Sequence, residues 1–267
     1  MINQTSLDTL CASLCYAMGI DAPSSAAKPN PLLCDYIDKT LKDEKADRIF
    51  MYNPDAIAQW VYEKYSQIFE QITTQIDIEV PFCTVMPSVT PVCFGTMYTG
   101  VQPEIHGIQS YVKPVITIDT IFDALISSGK KPVIVSTAND SMSKIFLERK
   151  MDYFIYDTIS EVNQKALELI KQDEYDFIAV YNGNYDTVMH KFGPESPEAL
   201  DELRDNVTSF DMFCKEIAKC WKKHNSLLGF AMDHGCHEID GGCGSHGLAM
   251  EEDLNIMHLY KTIKAKK

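Results

Sequence analysis

The chain has 267 residues, of which 45% are hydrophobic and 23% charged, so a sizeable core is available. A formal net charge of −14 repels a nucleic-acid backbone at long range, which argues against a nucleic-acid polymer as partner but leaves room for a small phosphorylated substrate. The nine cysteines form no CxxC pair, no run reaches the roughly 18–20 apolar residues of a membrane span, and residues 1–8 lack a basic leader. A cytoplasmic protein with free thiols and no membrane association is therefore expected, with the oligomeric state left open.

A short helix is predicted around Leu7–Met18, closed by Gly19, followed by the small-residue connector at 23–31. A second helix runs from about Pro31 to Leu41, and Asp43–Asp47 make a polar turn. Arg48–Asn53 then reads as the first buried strand, followed by Pro54-Asp55 and a helical stretch from Ile57 to Phe69. Residues 79–86 are another apolar run. Beyond them Phe122–Ser128 is helical, Pro132–Ser136 a strand, Tyr153–Tyr156 a short strand, Glu161–Ile170 an amphipathic helix and Phe177–Tyr181 a strand. A long helix covers about Pro197 to His224, with apolar residues in steps of three and four from Leu200 to Trp221. Leu227–Met232 is the next strand, and a helix is expected from Met250 to Ile263. Short apolar strands alternating with helices imply an α/β fold: a mostly parallel sheet sandwiched between helices, with ligands gathered beyond the carboxyl ends of the strands. Residues 1–267 are expected to form a single domain, with 1–46 a helical extension packed on its core.

The acidic and histidine residues cluster by position. Asp55 follows the first strand, Asp186 and His190 follow FIAVY, and Asp233 and His234 follow LLGFAM. His246 lies on a glycine-rich loop that can fold back to the same edge. Alone, each has a structural explanation: Asp55 could be a helix N-cap, DTVMH a hydrogen-bonded pair on one turn, and DHG a simple turn. Together they offer three carboxylates and three imidazoles, enough for two divalent cations. His224 and His258 read as surface or packing residues, and His237, though close enough to be a spare ligand, is left outside the set.

Four stretches match a known pattern. They are PSVTPVCFGTMYTGVQPEIHGI (residues 87–108), DTVMHKFGPES (186–196), AMDHG (231–235) and SHG (245–247). In this order they resemble the alkaline phosphatase superfamily, most closely its type I phosphodiesterase/nucleotide pyrophosphatase group, over most of residues 48–250. The resemblance implies an alkaline-phosphatase-like core and a nucleophile at Thr90. It places one metal on Asp55, Thr90, Asp233 and His234 and a second on Asp186, His190 and His246. Zn²⁺ is the expected ion, and Mn²⁺ is tolerated by the same donors. His106 is read as a structural residue after the nucleophile helix.

The implied activity is phosphoryl-transfer hydrolysis of a phosphodiester, pyrophosphate or phosphate monoester through a covalent phosphothreonine. Two departures from the pattern bear on this. Relatives of the diesterase type usually carry Asn three residues after the threonine, where this chain has Cys93, and the interval from Asp233 to His246 is short, as in phosphopentomutase. A phosphonate hydrolase or a phosphomutase is the alternative enzyme, and an inactive metal-binding sensor the alternative outside enzymes.

Overall fold

From Ile49 onward every residue of the strand Arg48–Pro54 is buried, the signature of a strand covered on both faces. The computed structural model describes residues 1–266 and arranges them, in chain order, as α1 (Thr9–Met18), α2 (Pro31–Leu41), β1 (Arg48–Pro54), α3 (Gln59–Lys64), α4 (Ser66–Thr73), β2 (Ile78–Cys83), α5 (Thr90–Thr99), α6 (Pro103–His106), α7 (Ile121–Ser127), β3 (Pro132–Thr137), α8 (Ser141–Ile145), β4 (Asp152–Tyr156), α9 (Ile159–Gln172), β5 (Phe177–Asn182), α10 (Asn184–Phe192), α11 (Pro197–Cys220), β6 (Ser226–Phe230), β7 (His237–Ile239), β8 (Cys243–Ser245), α12 (Glu251–Leu254) and β9 (Asn255–Ile263). Seven strands form one sheet in the order β2-β9-β6-β1-β5-β3-β4, and β7 and β8 form a separate hairpin. The run β6-β1-β5-β3-β4 is parallel throughout. Strand β9 pairs antiparallel with both β6 and β2. Since β9 alone is reversed, β2 points the same way as the parallel strands, and its carboxyl end meets the start of β9, where Cys83 pairs with Asn255.

Alternation along β1 divides the core in two. Phe50 and Tyr52 pack on one face against Phe210 and Phe213 of α11 and, through Tyr52, Phe230. On the other face Asn53 accepts a 2.7 Å bond from the Tyr98 hydroxyl of α5, and Tyr98 joins Phe122, Phe146 and Phe177 in an aromatic cluster. The α11 helix begins at Pro197 behind Ser196, whose hydroxyl accepts from Ala199 N, a regular N-cap. Residues 1–46 lie against this core: Leu7 N donates to Cys83 O at 3.0 Å, Cys83 N to Thr5 O at 2.7 Å, and α1 packs on α5 and α7.

Most predicted elements lie within a residue or two of the expected bounds, and the α/β sandwich is as read from the sequence. Two expectations are overturned. The stretch 57–69 is two helices, interrupted at Tyr65 and continuing to Thr73. The C-terminal stretch is not helical: only Glu251–Leu254 turn, and Asn255–Ile263 is a sheet strand buried over its first six residues. A short apolar run cannot be assigned by periodicity alone, and here the gap between β6 and β2 decides. His258 accordingly sits inside the sheet layer, where Nε2 donates to Met232 O at 2.7 Å; burial lowers it to about 4, so it is a neutral packing residue.

Trp221, completely buried just past α11, donates from its indole to Ile170 O at 3.0 Å. Replacing it with alanine leaves both a large cavity and an unpaired carbonyl. Trp221→Ala is expected to cost about 3–5 kcal/mol of unfolding free energy, read from the denaturation midpoint; a loss below about 1 kcal/mol would show that the α9–α11 seam is not part of the main core.

Candidate metal centre

The parallel strands and β2 all end at one edge, and the predicted ligands meet there. Asp55 follows β1 directly and is buried. The next residue, Ala56, adopts φ 62°, a left-handed conformation uncommon for a residue with a side chain, and its N–H donates to Asp233 Oδ1 at 3.1 Å. The strained turn thus couples the carboxylates delivered by β1 and β6. From α10, Asp186 and His190 project one turn apart on the same face. The hairpin β7–β8 brings His246 back over them.

Two groups form. Ligand atoms of Asp55, Asp233 and His234 lie within 4.8 Å of one another, and so do those of Asp186, His190 and His246. Thr90, the first residue of α5, sits at the former, with Oγ1 3.4 Å from Asp55 Oδ2 and 3.3 Å from His234 Nε2. The two groups adjoin, because the rings of His234 and His246 have centroids 4.1 Å apart. All seven predicted site residues are therefore brought together.

The imidazoles are pre-set. Nδ1 of His190 donates to Gly244 O at 3.0 Å, Nδ1 of His234 to Gly235 O at 2.9 Å and Nδ1 of His246 to Ser88 O at 2.9 Å. A carbonyl can only accept, so each ring carries its proton on Nδ1 and, when neutral, turns an Nε2 lone pair to the cluster. His190 Nε2 and His246 Nε2 are 3.0 Å apart, and each also lies close to Asp186 Oδ1, at 3.2 and 3.3 Å. Two lone-pair nitrogens and an anionic oxygen at these separations repel one another unless a positive charge lies between them.

The carboxylates show the same deficit. Asp55 Oδ1, Asp186 Oδ1 and Asp233 Oδ2 are buried without a hydrogen-bond donor among the described residues. Burial, reinforced by the charges of Asp233 and Asp186, pushes Asp55 well above the usual carboxylate range, and burial pushes Asp233 up to about 7. Burial acts on Asp186 in the same direction, but where His190 and His246 are protonated their Nε2–H groups donate to it, outweigh burial and hold its carboxyl below the usual range. Burial depresses His234 and His246, whereas the neighbouring Asp186 raises His190. Hard oxygen and imidazole donors, three per group, with orphaned lone pairs, fit divalent cations.

Several neighbours were not singled out from the sequence. The Tyr181 hydroxyl, at the end of β5, donates to Asp55 Oδ2. A cavity of about 330 Å³ opens beside Asp55 and Asp186, lined by Tyr111, Lys113, Asn139, Tyr181 and Asn184 among others. Tyr111 and Lys113 sit in a loop without regular structure, so no periodicity marks them. His237 is not a spare ligand: its Nδ1 donates to Asp253 at 2.7 Å, away from both groups. Cys93 is fully buried behind the site, taking a 3.1 Å bond from the Thr84 hydroxyl, and does not line the cavity. His106 has the structural place expected of it. It accepts from Ile108 N, bonds the Thr96 hydroxyl at 3.1 Å and packs so tightly on Gly95 that a Cβ there would lie 2.7 Å from its ring.

The family model for type I phosphodiesterase/nucleotide pyrophosphatase matches residues 132–266, just over half of the chain. The chain belongs to the type I phosphodiesterase/nucleotide pyrophosphatase family. Five of the seven candidate site residues fall in the matched stretch, and Asp55 and Thr90 precede it. Among solved structures, the chain is similar to murine ectonucleotide pyrophosphatase/phosphodiesterase 5, an inactive variant in complex with AMP, at 15% identity and a TM-score of 0.56, covering 73% of this chain and 59% of that one. The human protein of the same name gives 16% and 0.54, covering 72% and 58%. Phosphonoacetate hydrolase from Sinorhizobium meliloti, in complex with phosphonoformate, gives 16% and 0.54, covering 74% and 59%. These likenesses show the fold, and the chain spans less than two thirds of each of these structures. No curated protein matches it.

If cations complete this family site, chelation should loosen it. Dialysis against a strong chelator is expected to lower the melting temperature, and Zn²⁺ at about 100 times its dissociation constant to restore roughly 2.7 kcal/mol. A melting temperature indifferent to both treatments would contradict the assignment.

Proposed function

We propose that the chain is a two-metal phosphoryl-transfer hydrolase that acts through a covalent phosphothreonine at Thr90. The observation that carries this reading is the placement of the Thr90 hydroxyl beside the first ligand group, with the second group adjoining. Asp55, Thr90, Asp233 and His234 would hold one ion and Asp186, His190 and His246 the other, with Zn²⁺ the expected metal and Mn²⁺ acceptable to the same donors. When bound, the pair would favour the Thr90 alkoxide and neutralise charge on the phosphoryl oxygens.

The chain's own residues supply the rest. Asp55 and His234 orient Thr90 Oγ1, and Tyr181 fixes Asp55 from the far side. Thr90 gives up its hydroxyl proton as Oγ1 bonds to phosphorus, and the bond from phosphorus to the ester or pyrophosphate leaving group breaks, the leaving oxygen taking up a proton. Water then bonds to phosphorus and cleaves the Oγ1–phosphorus link, one water proton returning to Oγ1 and the hydroxyl staying on the phosphoryl product. The cavity at Tyr111, Lys113 and Asn139 adjoins Asp55 and Asp186, where part of a small phosphorylated substrate would rest. Its lining suits a polar group of modest size rather than a polymer. In this reading, residues 1–267 work as one catalytic unit with 1–46 as a packed extension, in a cytoplasm reducing enough to keep all nine cysteines as thiols.

The test is a panel of p-nitrophenyl phosphate, its phosphodiester and a phosphonate monoester, assayed with Zn²⁺ or Mn²⁺. At least one should turn over, and Thr90→Ala should lower kcat on the order of 10³-fold or more while most of the bound metal is retained. Wild-type rates in that variant would remove Thr90 from the mechanism.

A further inference from the structure

The reversal of β9 places its first residues, and the α12 turn before them, at the same edge as the metal centre. Within that turn Asp253 is completely buried, and among the described residues no lysine or arginine pairs with it. Its acceptors are taken up by the two segments that carry ligands from β6 and the hairpin. The main-chain carbonyl accepts from Gly235 N at 2.8 Å, next to His234. Oδ2 accepts from Leu248 N at 2.8 Å, two residues past His246. Oδ1 accepts from His237 Nδ1 at 2.7 Å, at the start of the hairpin between them. The contact is also tight: a Cβ on Gly235 would lie 2.0 Å from Glu252 O, so the α12 turn is seated directly on the chain beside His234.

We propose that Asp253 is a positioning residue that holds His234 and His246 in register and thereby sets the affinity of the site for metal. The inference rests on the two-metal reading above. A buried carboxylate accepting hydrogen bonds from two separate stretches of one loop fixes their separation. His234 and His246 lie on opposite sides of that loop, one in each ligand group. Losing the clamp lets the hairpin drift, although the side chains that would touch the metal are all still present. Such outer contacts are worth roughly 10–100-fold in metal affinity.

The experiment is a Zn²⁺ titration of the full-length, metal-stripped protein against a competing chromogenic chelator, with the apo melting temperature recorded in parallel. Asp253→Asn, which keeps the shape but cannot accept from both donors with carboxylate oxygens, is expected to weaken zinc binding about 10–100-fold. His237→Ala, which leaves Asp253 in place, should weaken it less, and His237→Asn, which restores a donor near the former Nδ1, should recover part of the loss. If Asp253→Asn does not fold, the two His237 variants decide alone. A purely structural role would lower the apo melting temperature and leave the zinc affinity of the folded variants unchanged. Affinities within twofold of wild type in the folded variants overturn the clamp, whereas a wild-type chain that takes up no zinc overturns the two-metal reading and the clamp with it.

Discussion

Three carboxylates and three imidazoles share one edge of the sheet, one group of them buried and the other partly open, and their mutual repulsion is the constraint that the surrounding structure exists to withstand. Like charges at 4 Å in a protein-like medium oppose one another by about 4 kcal/mol per pair. Among the described residues the ion-pair partners of Asp55, Asp186 and Asp233 are histidines, and a cation, Lys113, lines the adjoining cavity. What they bring are devices that hold the donors in place: the left-handed Ala56 between Asp55 and Asp233, the Tyr181 hydroxyl on Asp55, and a backbone carbonyl behind each histidine ring. Each makes sense as support for a cation, and the donors from Ala56 and Tyr181 offset only part of the carboxylates' crowding, since Asp55 and Asp233 stay pushed up.

Topology explains how residues so distant in the chain reach that edge. Parallel strands end together, which is why β1, β5 and β6 deliver Asp55, Asp186 and Asp233 side by side. Thr90 comes by a different route. It follows β2, which is separated from the parallel strands by the reversed β9 yet points the same way because two reversals cancel. The antiparallel strand is thus what allows the nucleophile candidate and the α12 turn to share the ligand edge.

The sequence made the ligand set legible because the chemistry sits in short segments just after apolar strands. The motifs at 186–190, 233–234 and 246 stand out against runs such as FIAVY and LLGFAM, and periodicity located α11 and α9 closely. It failed at Asn255–Ile263, whose apolar run suits a helix or a strand equally and is decided only by the neighbours β2 and β6. That failure had a cost at the site, since a helix there would hide the contacts that Asp253 makes with Gly235, His237 and Leu248. Tyr111 and Lys113 were also beyond reach: they lie in irregular chain, and their nearness to Asp55 and Asp186 arises wholly from tertiary packing. Cys93, which stands where diesterase-type relatives usually carry Asn, is directed by the turn of α5 into the core.

The central claim is that two cations flank Thr90, one on each ligand group. Anomalous diffraction at the zinc absorption edge, from crystals grown with Zn²⁺, tests it most directly. The account predicts two strong peaks, one bounded by Asp55, Asp233 and His234 and the other by Asp186, His190 and His246. A single peak, or peaks only at other surface sites, would contradict it.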